Sequence, residues 1–167
     1  NVLFEIRTKS VNNTVFRKYD ALTNCIVAYS LMPETLAQKL DKKAPSVSAR
    51  IKNMKYIAKK GWKVGLRFDP LIYCNNWKAE YAELFANIFK EIKDENIHSI
   101  SLGPLRFPKS FFNKLLQYYP KTEEFSFLRS NGKGAVSYDQ TIESEMNEYC
   151  RLELMKYSEA RKFFSCG

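Results

Sequence analysis

The residues of this sequence whose types and spacing suit chemistry fall into four short sets: Glu5, Arg7 and Lys9; Ser30; Arg67 and Asp69; and Ser101. Within the sets they alternate with apolar residues, so that in an extended chain they would share one side of a strand. Carboxylates, cations and hydroxyls gathered in one interior are costly to desolvate unless they pair with each other or with a charged ligand. A zwitterionic small molecule would suit such a lining. The competing reading is a self-satisfied network of Glu5 and Asp69 with Arg7 and Arg67. Lys9 and Ser30 stand at strand ends, where a Lys donor and a hydroxyl suit a ligand carboxylate.

Four strands must position these groups. Val2 to Lys9 alternates Val2, Phe4 and Ile6 with Leu3, Glu5, Arg7 and Lys9. Cys25 to Leu31 is a second strand, ended by Met32-Pro33-Glu34, with Pro in the first turn of a helix. Val64, Leu66 and Phe68 share one face of a third, which ends at Asp69-Pro70, and His98 to Gly103 is a fourth. Between them, Ser46 caps a helix carrying Val47, Ile51, Met54, Ile57 and Ala58 until Gly61 stops it. Trp77, Tyr81, Leu84, Phe85, Ile88, Phe89 and Ile92 form the apolar stripe of another.

Val11 to Asn24 reads as a loop or a short helical turn. Pro104 to Pro108 reads as a loop containing Arg106, and Lys109 to Tyr119 as a helix closed by Pro120. Glu124 to Arg129 and Ala135 to Tyr138 flank a hairpin signal at Ser130-Asn131-Gly132-Lys133-Gly134. Gln140 to Phe164 reads as one closing helix.

The strand starts are 24 to 37 residues apart, which leaves room for a crossover each time and predicts parallel neighbours. A parallel sheet buried by helices on both faces would show nearly continuous apolar strands. These strands have one polar face, which predicts an α/β fold of the partial (β/α) barrel type with helices packed outside. Ligands of such barrels sit at the carboxyl ends of the strands, where Lys9, Ser30, Asp69 and the Ser101 to Arg106 segment fall. Residues 1–122 are expected to form the half barrel, and residues 123–167 a hairpin and closing helix packed on the same domain.

Composition narrows the class. With 45% hydrophobic and 14% aromatic residues among 167, the chain can bury a substantial core rather than remain disordered. Its charge of +9 favours an anionic partner, nucleic acid first, against the plainer reading of a solvated basic surface. Cys25, Cys74, Cys150 and Cys166 lack metal-site spacing and read as buried reduced thiols. No apolar run approaches membrane-spanning length and no secretory leader opens the sequence, so a cytoplasmic protein with no membrane partner is expected. Asn1 stands almost inside a strand, and the chain is expected to be part of something longer.

Several ordered runs resemble the carboxyl-terminal half of the spore photoproduct lyase family of radical S-adenosylmethionine enzymes. They are Glu5-Ile6-Arg7-Thr8-Lys9-Ser10, Ala28 through Pro33, Ala44 through Arg50, Gly61 through Pro70, Asn76-Trp77 with Tyr81, and Ile100 through Phe107. The resemblance implies a partial barrel that binds S-adenosylmethionine and a 4Fe-4S cluster and reverses a thymine dimer lesion in UV-damaged double-stranded DNA. It implies that Lys9 and Ser30 help hold the methionine part of the cofactor, with Arg7, Asp69 and Ser101 lining the same site. Arg106, Lys133 and Tyr138 would meet DNA. The cluster-binding CxxxCxxC motif is absent from this sequence, so the cluster's ligands are expected outside it, and the chain alone is expected to be inactive. The hairpin departs from the family's basic and aromatic wedge, keeping only Lys133 and Tyr138 as counterparts. This leaves two alternatives: radical chemistry on another substrate, or a basic module that grips nucleic acid without chemistry.

Overall fold

Phe4–Thr8 (β1) opens a parallel sheet, in a computed structural model that describes residues 2–130, 132 and 134–165. After a short helix at Thr14–Lys18 (α1), Cys25–Ser30 (β2) pairs parallel with β1. Two helices, Glu34–Leu40 (α2) and Val47–Lys59 (α3), then return the chain to Lys63–Leu71 (β3). Trp77–Glu91 (α4) leads to Ile97–Pro104 (β4). Beyond these, Phe107–Pro108 (β5), Lys109–Tyr118 (α5), Arg129–Ser130 (β6), Ala135–Ser137 (β7) and Gln140–Met155 (α6) precede a last strand, Phe163–Ser165 (β8). The large sheet runs β1-β2-β3-β4-β8 with every pair parallel, and β5-β7-β6 make a small antiparallel sheet. The expected α/β partial barrel with parallel strands is thus present.

Its apolar layer follows the sequence pattern. Val27, Tyr29, Val64, Leu66, Phe68 and Ile100 are buried in one core with Val47, Ile51, Met54 and Ile57 of α3 and Trp77, Tyr81, Leu84, Phe85 and Ile88 of α4. Ser46 caps α3 by accepting from the Ala49 N–H at 3.2 Å, a contact that contributes about 1 kcal/mol. Gly61 follows α3 with φ of +88°, a left-handed turn that a side chain would strain, and the chain enters β3 two residues later.

Four expectations are corrected. The segment from Gln140 is not a single helix: α6 ends at Met155, and after a 3-10 turn at Ala160–Lys162 the chain adds β8 beside β4. The β8 run is too short for period-two alternation to announce it. The Pro104 to Pro108 loop contains β5, which pairs with β7. Much of Glu124 to Arg129 is not strand, because Glu123–Phe125 forms a 3-10 turn and only Arg129–Ser130 pairs with β7. The third strand also runs past Asp69 to Leu71, through a cis Asp69–Pro70 bond and an irregular register with β4.

Candidate functional site

Sheet register assembles the polar residues into layers. Gly65 lies beside Ser99 and Arg67 beside Ser101, while Arg7 aligns with Ala28 and Ser30 with Arg67. Side chains of alternate residues therefore point to one lumen, as the alternation requires. Phe164, aligned with Ser101 on β8, joins them and lies over the Arg67 guanidinium at 4.9 Å from its ring centre.

The inner layer is built on Arg67, whose side chain is 1% exposed. Its Nε donates to Glu5 Oε1 at 3.0 Å and its Nη2 to Glu5 Oε2 at 2.5 Å, while Nη1 and Nη2 also reach the Ser99 carbonyl and hydroxyl at 3.1 and 3.0 Å. The hydrogen bond from Arg67 holds the Glu5 carboxyl below the usual range. This layer is self-satisfied, as the competing reading of the charges expects for Glu5 and Arg67.

The outer layer lies nearer the carboxyl ends of the strands and joins four predicted residues. Arg7 pairs with the Asp69 carboxylate, donates to the Asp69 carbonyl at 2.9 Å, and donates through Nε to the Ser30 hydroxyl at 3.3 Å. Ser101 donates to Asp69 Oδ2 at 2.6 Å. The Arg7 side chain remains 42% exposed, so this layer is open to a ligand, whereas in the inner layer the Arg67 guanidinium is buried and only its partner Glu5 is partly exposed.

Lys9 stands above both, just past β1, and pairs with Asp41 at 2.7 Å. Asp41 also takes Arg50 Nη2 at 3.0 Å, and Arg50, fully buried, donates to the Ser30 carbonyl at 3.0 Å and the Pro45 carbonyl at 2.9 Å. Lys9 and Ser30 therefore meet through Asp41 and Arg50, two residues that alternation on strands could not reveal. Arg50 lies on α3 inside the family-like run from Ala44, which was the only signal for it.

The residues assigned to DNA separate. Arg106 is exposed between β4 and β5. Lys133 lies outside the described residues. Tyr138 is 5% exposed, and its hydroxyl accepts from the Tyr73 N–H at 3.0 Å. Tyr81 does the same for the Ile72 N–H at 2.8 Å, so two buried phenols fix the loop that follows β3. Burial raises the pKa of both. Tyr138 in this arrangement is a buried loop anchor, whereas the resemblance to the family's wedge assigned it to DNA.

Iron-sulfur ligation finds no support in the described residues. Cys25 and Cys150 are buried, Cys74 is half-buried in the loop after β3, and burial raises all three thiols, which opposes thiolate formation. No three His, Cys, Asp or Glu side chains among the described residues are grouped to hold a metal ion, and no helix among them is long and apolar enough to cross a membrane.

Comparison with known proteins supplies the family. Residues 4–133 match the family model described as spore photoproduct lyase. Among solved structures, spore photoproduct lyase complexed with dinucleoside spore photoproduct superposes with a TM-score of 0.80 at 16% identity, covering 98% of this chain and 50% of that one. A double mutant of spore photoproduct lyase with bound AdoMet and the same dinucleoside gives 0.78 at 17% identity, with the same coverage. This chain spans about half the length of those proteins, and at such identities the likeness is one of fold. A comparison with curated proteins found no match. The match over residues 4–133, on the partial barrel just described, places this chain in the spore photoproduct lyase family.

Proposed function

We propose that this chain is the carboxyl-terminal part of a radical S-adenosylmethionine enzyme that reverses a thymine dimer photolesion in double-stranded DNA. The observation that carries the reading is the outer layer of the lumen. Arg7, Ser30, Asp69 and Ser101 form one hydrogen-bonded group toward the carboxyl ends of parallel strands, in a chain of this family.

The donor set fits the amino-acid end of the cofactor. An α-carboxylate needs cationic or hydroxyl donors, which Arg7, Lys9 and Ser30 offer; an α-ammonium needs a carboxylate, which Asp69 offers. Each charge already faces its opposite in this structure, so a zwitterion can replace the internal pair without leaving an ion unpaired. Ser101 keeps Asp69 oriented, and Asp41 keeps Lys9 and Arg50 together above the site. When bound, S-adenosylmethionine would supply a carbon-centred radical. This chain's residues would hold the cofactor by its charged end. The described cysteines do not fit a 4Fe-4S cluster, so its ligands are assigned outside this chain, and the chain alone is expected to cleave no cofactor. Arg106 and Lys133 are the proposed contacts to the damaged duplex.

Reconstituting the full-length gene product with iron and sulfide tests this. Reductive cleavage of S-adenosylmethionine, with loss of spore photoproduct from irradiated DNA, is expected. No cleavage at all would overturn the reading, and cleavage without repair would move it to another substrate.

A further inference from the structure

We propose that an open cleft on the rim of the barrel holds the phosphate backbone of the DNA duplex, at a place separate from Arg106 and the hairpin; this rests on the reading that the enzyme acts on DNA. The cleft, about 810 Å³, lies between the segment that links α2 to α3 and the segment that follows α5. The first segment sits over the carboxyl ends of β1 and β2, because Asp41 in it holds Lys9, and Arg50 beyond it binds the Ser30 carbonyl. The second segment is tied to the last turn of α2, next to the first segment, by the ion pair of Glu124 with Lys39 at 3.1 Å.

The charges of the cleft are unequally committed. Asp41 is taken by Lys9 and Arg50, and Glu124 by Lys39. Lys42, Lys43 and Lys121 are exposed, and among the described residues none has a carboxylate within ion-pair distance. Against them stands one acid without an ion pair, Glu123, which accepts from Asn75 at 3.4 Å. Three free ammonium groups in one concave surface raise the local concentration of a polyanion and can displace its counterions. The surface also continues toward the site. Lys43 and Ala44 line both this cleft and a neighbouring one that contains Lys9, Ser10 and Asn12. A backbone lying in the cleft therefore leads to the mouth where Lys9 stands. The spacing of point charges without base-reading forks suits a track for phosphates rather than for sequence.

The test is the salt dependence of duplex DNA binding by the full-length gene product, followed by fluorescence anisotropy. The triple variant Lys42→Gln, Lys43→Gln, Lys121→Gln is compared with Lys52→Gln, Lys59→Gln, Lys90→Gln, which removes the same charge from the outer helices. Each phosphate contact contributes about 0.9 to the slope of log affinity against log salt, so the cleft variant should lose about 2 to 3 from the slope and the helix variant little. Equal losses in the two, or none in either, would overturn the cleft while cofactor cleavage continued. Absence of salt-dependent binding by the unsubstituted protein would instead overturn the action on DNA, and the cleft with it.

Discussion

Arg67 on β3 holds Glu5 on β1 across the whole width of β2, through a two-point pair of 3.0 and 2.5 Å. The reach is possible because the intervening positions are small. A Cβ added at Gly65 would stand 2.8 Å from Arg67 Nη2, 3.0 Å from its Cζ and 3.1 Å from the Ala28 Cβ. Gly65 is kept free of a side chain by the guanidinium, not by its backbone angles.

Gly65→Ala is therefore expected to push the guanidinium off the carboxylate and to destabilise the fold by about 1 to 3 kcal/mol, the scale of overpacking. Urea denaturation measures this. An unchanged midpoint would show that Arg67 has room that the geometry denies it.

The Glu5 carboxyl titrates below its usual 4.5, chiefly through the hydrogen bond from Arg67. The folded state thus binds fewer protons there than the unfolded state does. Its contribution is complete above the unfolded pKa and fades as pH falls through the lowered folded value. Glu5→Gln should remove that contribution and leave Arg67 buried without its counter-charge, costing about 1 to 2 kcal/mol at pH 7, less than a fully buried pair because the Glu5 side chain is 36% exposed. The gap between the two proteins should narrow as pH drops below about 4.5. A gap independent of pH would contradict the pairing.

Tyr138→Phe leaves the buried Tyr73 N–H without its acceptor, an expected loss of about 1 to 3 kcal/mol in stability. DNA affinity should not change, because the ring is buried. A large fall in DNA affinity at unchanged stability would return Tyr138 to the nucleic-acid surface.

Lys9 bears on both stability and ligand. Lys9→Ala removes one of two cations on Asp41, while Arg50 keeps the other, so the fold should lose less than about 1 kcal/mol, as for part-exposed pairs. Affinity for S-adenosylmethionine should fall by about 1.5 to 3 kcal/mol, the scale of a hydrogen bond to a charged group. Calorimetric titration separates the two. A fold loss with unchanged affinity would make Lys9 a strut for Asp41.

Much of this was legible because period-two alternation on β3 and β4 separates the lumen from the core, while on β1 it marks the lumen side only, since Phe4 and Ile6 on its other side are exposed. Arg67 and Asp69 face one way and Leu66 and Phe68 the other, which locates the site and the barrel together. What alternation could not give were partners brought from helices and turns. Asp41 and Arg50 reach the lumen rim from α2 and α3, and their task depends on how those helices return to the sheet. The strand β8 was hidden behind the helical periodicity of α6, and the anchoring role of Tyr138 depends on its contact with Tyr73 from elsewhere in the chain. Lys42, Lys43 and Lys121 are unremarkable lysines in sequence and become one surface only through the Lys39 to Glu124 tie.

The central claim is that the polar lumen of this half barrel grips the charged end of S-adenosylmethionine, and equilibrium binding of that molecule to the full-length gene product tests it most directly. Arg7→Ala and Ser30→Ala on the lumen face should each weaken binding about tenfold or more, the effect of about 1.4 kcal/mol, while Ile6→Ala on the opposite face of the same strand should not. Equal affinity in all four proteins would contradict the claim.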